Sequence, residues 1–281
     1  MKLTITTLIE DMPDDAGKLK FEHGLSLYLE MEDTKCLFDT GQSGTFVENA
    51  QALGKTLGDL EYVFLSHGHY DHGGGMPRLL PLLGRRTEVI VGEEFFCPKY
   101  KETEKGRRFN GVRFQAEDIR RNGNALRLIR GTSERISSRM TVYHHFAREN
   151  DYETVSPVML SMCPGPEGPV FTPDDFRDEI ALGIETERGL VVVAGCSHAG
   201  IINILQSIQK QAGIPVYGVI GGTHLIDADE ERIRWTAQEL KKMGVQKIAV
   251  SHCTGEAGMR LLEDVFGEQF VRNNTGSVIR W

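Results

Sequence analysis

A chain of 281 residues with 40% hydrophobic content is long enough to bury a full core as one large domain. Its net charge of −8 argues against nonspecific nucleic-acid binding or attraction to an anionic membrane surface. No run nears the roughly 18 apolar residues of a membrane helix, and no charged-then-apolar leader opens the chain. The five cysteines, Cys36, Cys97, Cys163, Cys196 and Cys253, are odd in number and lack a Cys-x-x-Cys pair. That usage fits a reducing cytoplasm better than a disulfide framework.

In chain order, Met1 to Glu10 reads as a strand, and Leu25 to Glu30 with Lys35 to Phe38 read as a strand pair running into Asp39-Thr40-Gly41. A helix is expected over Val47 to Leu53 and a buried strand over Tyr62 to Leu65. Glycines 73 to 75 form a tight loop, after which Met76 to Leu83 starts a helix with Pro77 in its first turn and Pro81 limiting its regularity. Thr87 to Val91 is another buried strand. The section from 98 to 173 changes character: it is rich in Arg, Lys, Asn and Ser, has short strands at Leu126 to Ile129 and Met140 to Tyr143, and holds a Pro/Gly cluster at 164 to 169. It is expected to be an insertion or a substrate-facing cap. From Glu179 the order is two strands, a helix (Ile201 to Gln211), a strand (Val216 to Ile220), a helix (Glu230 to Met243), a strand (Lys247 to Val250) and a last loop. Such alternation indicates an α/β fold.

The chemistry is concentrated in His67-Gly68-His69-Tyr70-Asp71-His72, three imidazoles and a carboxylate in six residues directly after an apolar run. Those are ligand types that zinc and similar divalent metals prefer. The arrangement recurs where apolar runs end at Cys196-Ser197-His198, Thr223-His224 and Ser251-His252, so six of the nine histidines sit just past four strand-like segments. Ligands in layered α/β proteins gather outside the carboxyl ends of strands, and these four ends are expected to converge on one pocket.

His67-x-His69-x-Asp71-His72, with Asp39-Thr40-Gly41 upstream and Ser251-His252 late in the chain, resembles the metallo-β-lactamase-fold superfamily. Glu22-His23-Gly24-Leu25-Ser26, Gly195-Cys196-Ser197-His198-Ala199-Gly200-Ile201, Gly221-Gly222-Thr223-His224-Leu225 and His252-Cys253-Thr254-Gly255 narrow the likeness. They are similar to a branch described as metal-dependent hydrolases or as synthases of a dihydropterin-ribofuranosylaminobenzene 5'-phosphate, a methanopterin precursor. The resemblance covers most of the chain outside the middle section. It implies a four-layer αββα sandwich over residues 1–281 with the 98–173 segment inserted, and a metal site at one edge between two sheets. It implies His67 and His69 as ligands of a first metal, and Asp71, His72 and His252 as ligands of a second. Asp71 is also placed to hold or deprotonate the attacking water, and Asp39 to fix the tautomer of a ligating imidazole.

Two departures from the superfamily pattern matter. A third histidine for the first metal is not plainly present in a mid-chain strand, and Gly195-Cys196-Ser197-His198 stands where the common pattern has Gly-Asp. His198 is expected to complete the site, because a neutral imidazole ligates without losing a proton whereas a free thiol has a pKa of about 8.5. Cys196 is expected to be a small buried hydrophobe. His224 is assigned acid–base work or a phosphate contact, with metal ligation as the alternative. His144 and His145 are expected to line the surface or pocket, with a stand-in for the missing mid-chain ligand as the alternative, and His23 to be structural; Arg107, Arg108, Arg113, Arg120 and Arg121 are expected to form a solvated charged face, with supply of cations to an acidic substrate as the alternative.

One or two divalent ions, zinc first and manganese or iron as alternatives, would acidify water and polarise a substrate oxygen. The expected activity is hydrolysis of a small, anionic phosphoester or ester, with neither nucleic acid nor membrane as partner. The alternatives are a transfer that joins a pterin pyrophosphate to an arylamine ribose phosphate, and a metal-binding sensor without turnover. A di-iron electron carrier is disfavoured, since it would use His-x-Glu-x-Asp and His69 occupies the Glu position.

Overall fold

The computed structural model describes residues 2–32, 34–165 and 168–281. The first half runs β1 (Leu3–Ile9), β2 (Ser26–Met31), β3 (Thr34–Phe38), α1 (Phe46–Ala52), β4 (Tyr62–Leu65), the short turns α2 (Tyr70–Gly73) and α3 (Met76–Leu79), and β5 (Glu88–Gly92). The middle holds β6 (Lys99–Thr103), β7 (Gly106–Phe109), α4 (Ala116–Arg121), β8 (Ala125–Ile129), β9 (Ser133–Arg135), β10 (Met140–His144), β11 (Met159–Gly165) and β12 (Gly168–Pro173). The last part is β13 (Ile180–Thr186), β14 (Gly189–Val193), α5 (Ile201–Ala212), β15 (Val216–Gly221), α6 (Glu230–Lys242), β16 (Lys247–Val250), α7 (Gly255–Phe266) and β17 (Val278–Arg280).

Two large sheets carry the molecule. One has the order β17-β1-β2-β3-β4-β5-β8 and the other β16-β15-β14-β13-β10-β9. Within them β3, β4, β5 and β8 are mutually parallel, as are β14, β15 and β16, and the connections between parallel neighbours are the helical crossovers such pairing requires. The period of two decides which layer each side chain joins. Val89 and Val91 of β5 face the helices outside the first sheet, while Ile90 faces the second sheet. Likewise Leu190 and Val192 of β14 pack under α5, α6 and α7, while Val191 and Val193 join Ile90, Phe38 and Phe64 between the sheets. Three apolar layers therefore separate four structural ones, the αββα sandwich expected from the sequence.

The segment from 98 to 173, expected as one insertion, is divided among layers. β8 completes the first sheet and β9 and β10 the second, while β12-β11-β6-β7 form a separate four-stranded sheet. Pro166 and Glu167 of the Pro/Gly cluster, and Met1 of the first expected strand, lie outside the described residues. The helix expected over Met76 to Leu83 becomes α3 followed by a 3₁₀ turn at Leu80–Leu82, with Pro81 at the junction where its missing amide hydrogen interrupts the α ladder. The last loop expected after Val250 instead contains α7, whose Met259, Leu262 and Phe266 cover the second sheet. Among the described residues no helix is long and apolar enough to cross a membrane.

The layout fixes where chemistry can occur. β3, β4, β14, β15 and β16 end at Phe38, Leu65, Val193, Gly221 and Val250, so Asp39, the 67–72 motif, Cys196 to His198, His224 and His252 all leave the same edge of the sandwich. Gly195 is needed for that convergence: a Cβ there would lie 2.2 Å from Ser66 Oγ, so only glycine lets the β14 loop come against the β4 loop.

Candidate metal centre

The loops after β4, β14 and β16 bring together two groups of donor atoms, each within 4.8 Å of one another: Asp71, His72, Cys196 and His252, and His67, Cys196 and His198. Cys196 belongs to both. In the first group His72 Nε2 lies 3.1 Å from Cys196 Sγ and 3.2 Å from His252 Nε2. Asp71 Oδ2 lies 3.7 Å from the former nitrogen and 3.4 Å from the latter. Beside the second group, the ring of His69 joins those of His67 and His198 in a near-equilateral triangle with centroid separations of 4.7, 4.8 and 4.9 Å. His67 Nε2 and His69 Nδ1 meet at 3.0 Å.

The far sides of these rings explain their orientation. His72 Nδ1 is 2.7 Å from Asp39 Oδ2 and His252 Nδ1 is 2.6 Å from Asp11 Oδ1. Each carboxylate assigns the ring proton to Nδ1, so both Nε2 atoms turn bare lone pairs toward each other. Ser66 donates its amide and hydroxyl to Asp39, both at 2.7 Å, and its oxygen lies 2.9 Å from His67 Nδ1. Two facing nitrogen lone pairs repel unless a proton or a metal cation lies between them, and the carboxylate and sulfur beside them would draw either. Buried His69 Nε2 and His198 Nε2 have no hydrogen-bond partner, a rare state for interior nitrogen. The donor set therefore fits one or two divalent cations.

The electrostatics agree with ligation. Burial holds His67 and His198 well below the usual imidazole range, and lowers His69 to about 4, so all three are neutral. Burial alone would raise the Asp71 carboxyl, but His72, His23 and His252 outweigh it and hold it well below its ordinary range. Burial likewise opposes charge on His252, yet the bonds to Asp11 and Asp71 raise it well above. The carboxylates that draw a proton there would draw a cation equally. Burial, together with Cys253 and the charges of Asp71 and Glu179, pushes the Cys196 thiol well up, so it becomes a thiolate only with a cation beside it.

The candidates from sequence fall as follows. His67, His69, Asp71, His72, His198 and His252 are all at the centre. His224 stands next to it, its ring 4.4 Å from that of His198, but outside both donor groups. Asp39 reaches the His72 ring in the manner expected. Cys196, expected as a small hydrophobe, is buried but points its sulfur into the site. His23, expected as structural, stands against the centre: its Nε2 is 3.3 Å from Asp71 Oδ2 and its Nδ1 is 2.8 Å from Asp11 Oδ2, and with Asp11 and His252 it forms a third group of close donor atoms. His144 and His145 lie away from it, the first bonded to the carbonyls of Gly131 and Arg177 and the second to Glu93. Sequence reasoning passed over Asp11, which carries no motif of its own.

Backbone strain concentrates here as well. Asp39, Phe176, Ser197, His224 and His252 have φ between 49° and 61°, a left-handed region that side chains with Cβ avoid. Phe176 stacks on the His198 ring at 3.8 Å and meets His69 edge-on at 5.4 Å, walling that side of the centre.

Comparison with known proteins places the arrangement. A family model described as the metallo-beta-lactamase superfamily matches residues 19–204. The chain is 33% identical to the 7,8-dihydropterin-6-methyl-4-(beta-D-ribofuranosyl)-aminobenzene-5'-phosphate synthase of Methanocaldococcus jannaschii, over 99% of this chain and 97% of that one. It is 28% identical to an uncharacterized protein of the same organism, covering 97% and 99%. A crystal structure of a metal-dependent hydrolase of the beta-lactamase superfamily superposes with a TM-score of 0.83 at 28% identity, covering 99% and 98%.

Proposed function

We propose, from the premise that this chain belongs to the metallo-beta-lactamase superfamily, that it is a metal-dependent hydrolase of a small anionic phosphoester or ester. The observation that carries this reading is the pair of donor groups joined at Cys196. Its resting place would be His67, His69, His198 and Cys196 for one cation and Asp71, His72, His252 and Cys196 for the other, with zinc the metal best suited to nitrogen and sulfur donors. Divalent cations so bound supply Lewis acidity and lower the pKa of water toward about 7. Asp71 orients the attacking water and accepts its proton. His224, half-buried beside His198, gives a proton to the leaving group. Phe176 keeps bulk water from the His198 side.

A second reading rests on the 33% identity to a synthase over nearly the whole chain: a transfer that assembles a dihydropterin-linked ribofuranosyl-aminobenzene 5'-phosphate instead of hydrolysing an ester. Metal analysis of protein purified without added metal, followed by a phosphoester panel and the pterin and arylamine pair, separates the two. Hydrolysis that Asp71→Asn reduces by roughly 100-fold or more supports the first reading. Condensation without hydrolysis reverses the order, and bound metal with no turnover of either kind leaves a sensor.

A further inference from the structure

Of the five arginines in the middle section, Arg107, Arg120 and Arg121 are matched by Glu102, Glu117 and Asp118 at 3.0, 3.1 and 3.7 Å. Arg108 and Arg113 have no acidic partner among the described residues, and they stand on different sides of one strand. Arg113 lies 5.5 Å over Phe109, in a cleft of about 370 Å³ behind β7. Arg108, one position before Phe109 and so on the opposite face, lies 5.9 Å over the ring of Tyr70. Tyr70 is the residue between His69 and Asp71. Its ring is 6.4 Å from that of His23, whose Nε2 is in turn 3.3 Å from Asp71 Oδ2. A row from Asp71 outward thus runs His23, Tyr70, Arg108.

The hairpin that carries Arg108 is fixed to the metal loop. Tyr70 N donates to Asn110 O and Val112 N to Gly68 O, both at 3.0 Å, with His69 and Gly111 paired between them. On β6 of the same hairpin, buried Lys99 Nζ is 2.8 Å from Asp178 Oδ1 and 2.9 Å from Asp174 Oδ2. The other Asp178 oxygen takes the Gly68 amide at 2.6 Å. The backbone that carries this guanidinium is thus fixed beside the 67–72 loop before any ligand arrives, which lowers the entropy lost on binding. It is a fork of donors matched to phosphoryl oxygens.

We propose that Arg108, with the hydroxyl of the Tyr70 ring it overlies, recognises a phosphoryl oxyanion of the substrate at the mouth of the metal centre. The assignment deepens the reading of an anionic substrate above and rests on it. The test titrates inorganic phosphate, and in a second arm pyrophosphate, into the zinc-loaded full chain by calorimetry, with bound metal per chain measured for every variant. Arg108→Gln is expected to raise Kd for either anion about tenfold or more, and Arg108→Lys to lose part of that, since the charge remains without the fork. Arg113→Gln is expected to bind as the parent does, and all three variants to keep the parent's metal content. Parent-like binding by Arg108→Gln overturns the proposal, as does equal weakening by Arg113→Gln, metal loss in Arg108→Gln, or no anion binding by the loaded parent. Failure of the hydrolytic reading registers separately, as anion binding retained without turnover of any phosphoester.

Discussion

At the scale of single residues the centre turns on Cys196, whose sulfur is common to both donor groups. A buried thiol that burial and neighbouring charges push toward neutrality offers little to a metal until the metal removes its proton, after which it is a strong soft ligand. Cobalt-loaded parent protein should show a thiolate-to-cobalt charge-transfer band that Cys196→Ala abolishes along with at least one equivalent of bound metal. Cys196→Asp should regain metal without the band, because the superfamily pattern has a carboxylate at this place. An unchanged band in Cys196→Ala would put the sulfur outside the coordination shell. Most of the remaining donor cluster was legible in the sequence, since imidazoles following apolar runs announce themselves. Cys196 is buried as expected, but the direction of its sulfur, 3.1 Å from His72 Nε2, was illegible because burial and ligation look alike from sequence: both want a small side chain away from water. Asp11 was illegible for another reason: Glu10-Asp11-Met12 has no pattern, and only the fold brings it within 2.6 Å of His252, 241 positions away.

At the scale of elements, the α/β alternation could be read because periods of two and 3.6 are distinct wherever one face is buried. The small sheet could not be, because Lys101 to Arg108 is exposed throughout and offers no apolar alternation to find. α7 was lost behind Gly255 and Gly258, which lower any helical expectation although Met259, Leu262 and Phe266 have helical spacing. Beside the backbone bonds from the β7 end to the 67–72 loop, the small sheet is tied to the sandwich by Lys99, fully buried between Asp174 and Asp178. The two aspartates and the burial act in opposite senses on this ammonium, and the aspartates win, keeping it charged. Removing one partner of such a cluster leaves uncompensated charge in a dry interior, so Lys99→Met should cost about 3–5 kcal/mol in urea unfolding. A loss below ~1 kcal/mol would rank the cluster with exposed ion pairs and remove it as an anchor of the hairpin.

At the scale of the whole molecule, the centre ties elements that are far apart in sequence. Its donors leave β4, β14 and β16, so it joins both sheets at one edge, and through Gly68 and Asp178 it reaches the small sheet as well. These donors come within 4.8 Å only in the folded chain. A cation held by them therefore binds the native state far better than the unfolded one, and mass action turns that difference into stability. At a free metal concentration a hundred times Kd, one site adds about 2.7 kcal/mol. For a domain of this size that should raise the thermal midpoint by roughly 5 °C or more, and two sites by a larger amount. Chelation should lower the midpoint accordingly, and zinc should restore it in a concentration-dependent way. The size of the loss also tests the donor the two groups share: Cys196→Ala should begin near the chelated parent and gain less from added zinc. A midpoint unmoved in protein verified to have lost its metal would mean that the six donors are prearranged without the cation, by the Asp39, Asp11 and Asp178 bonds alone.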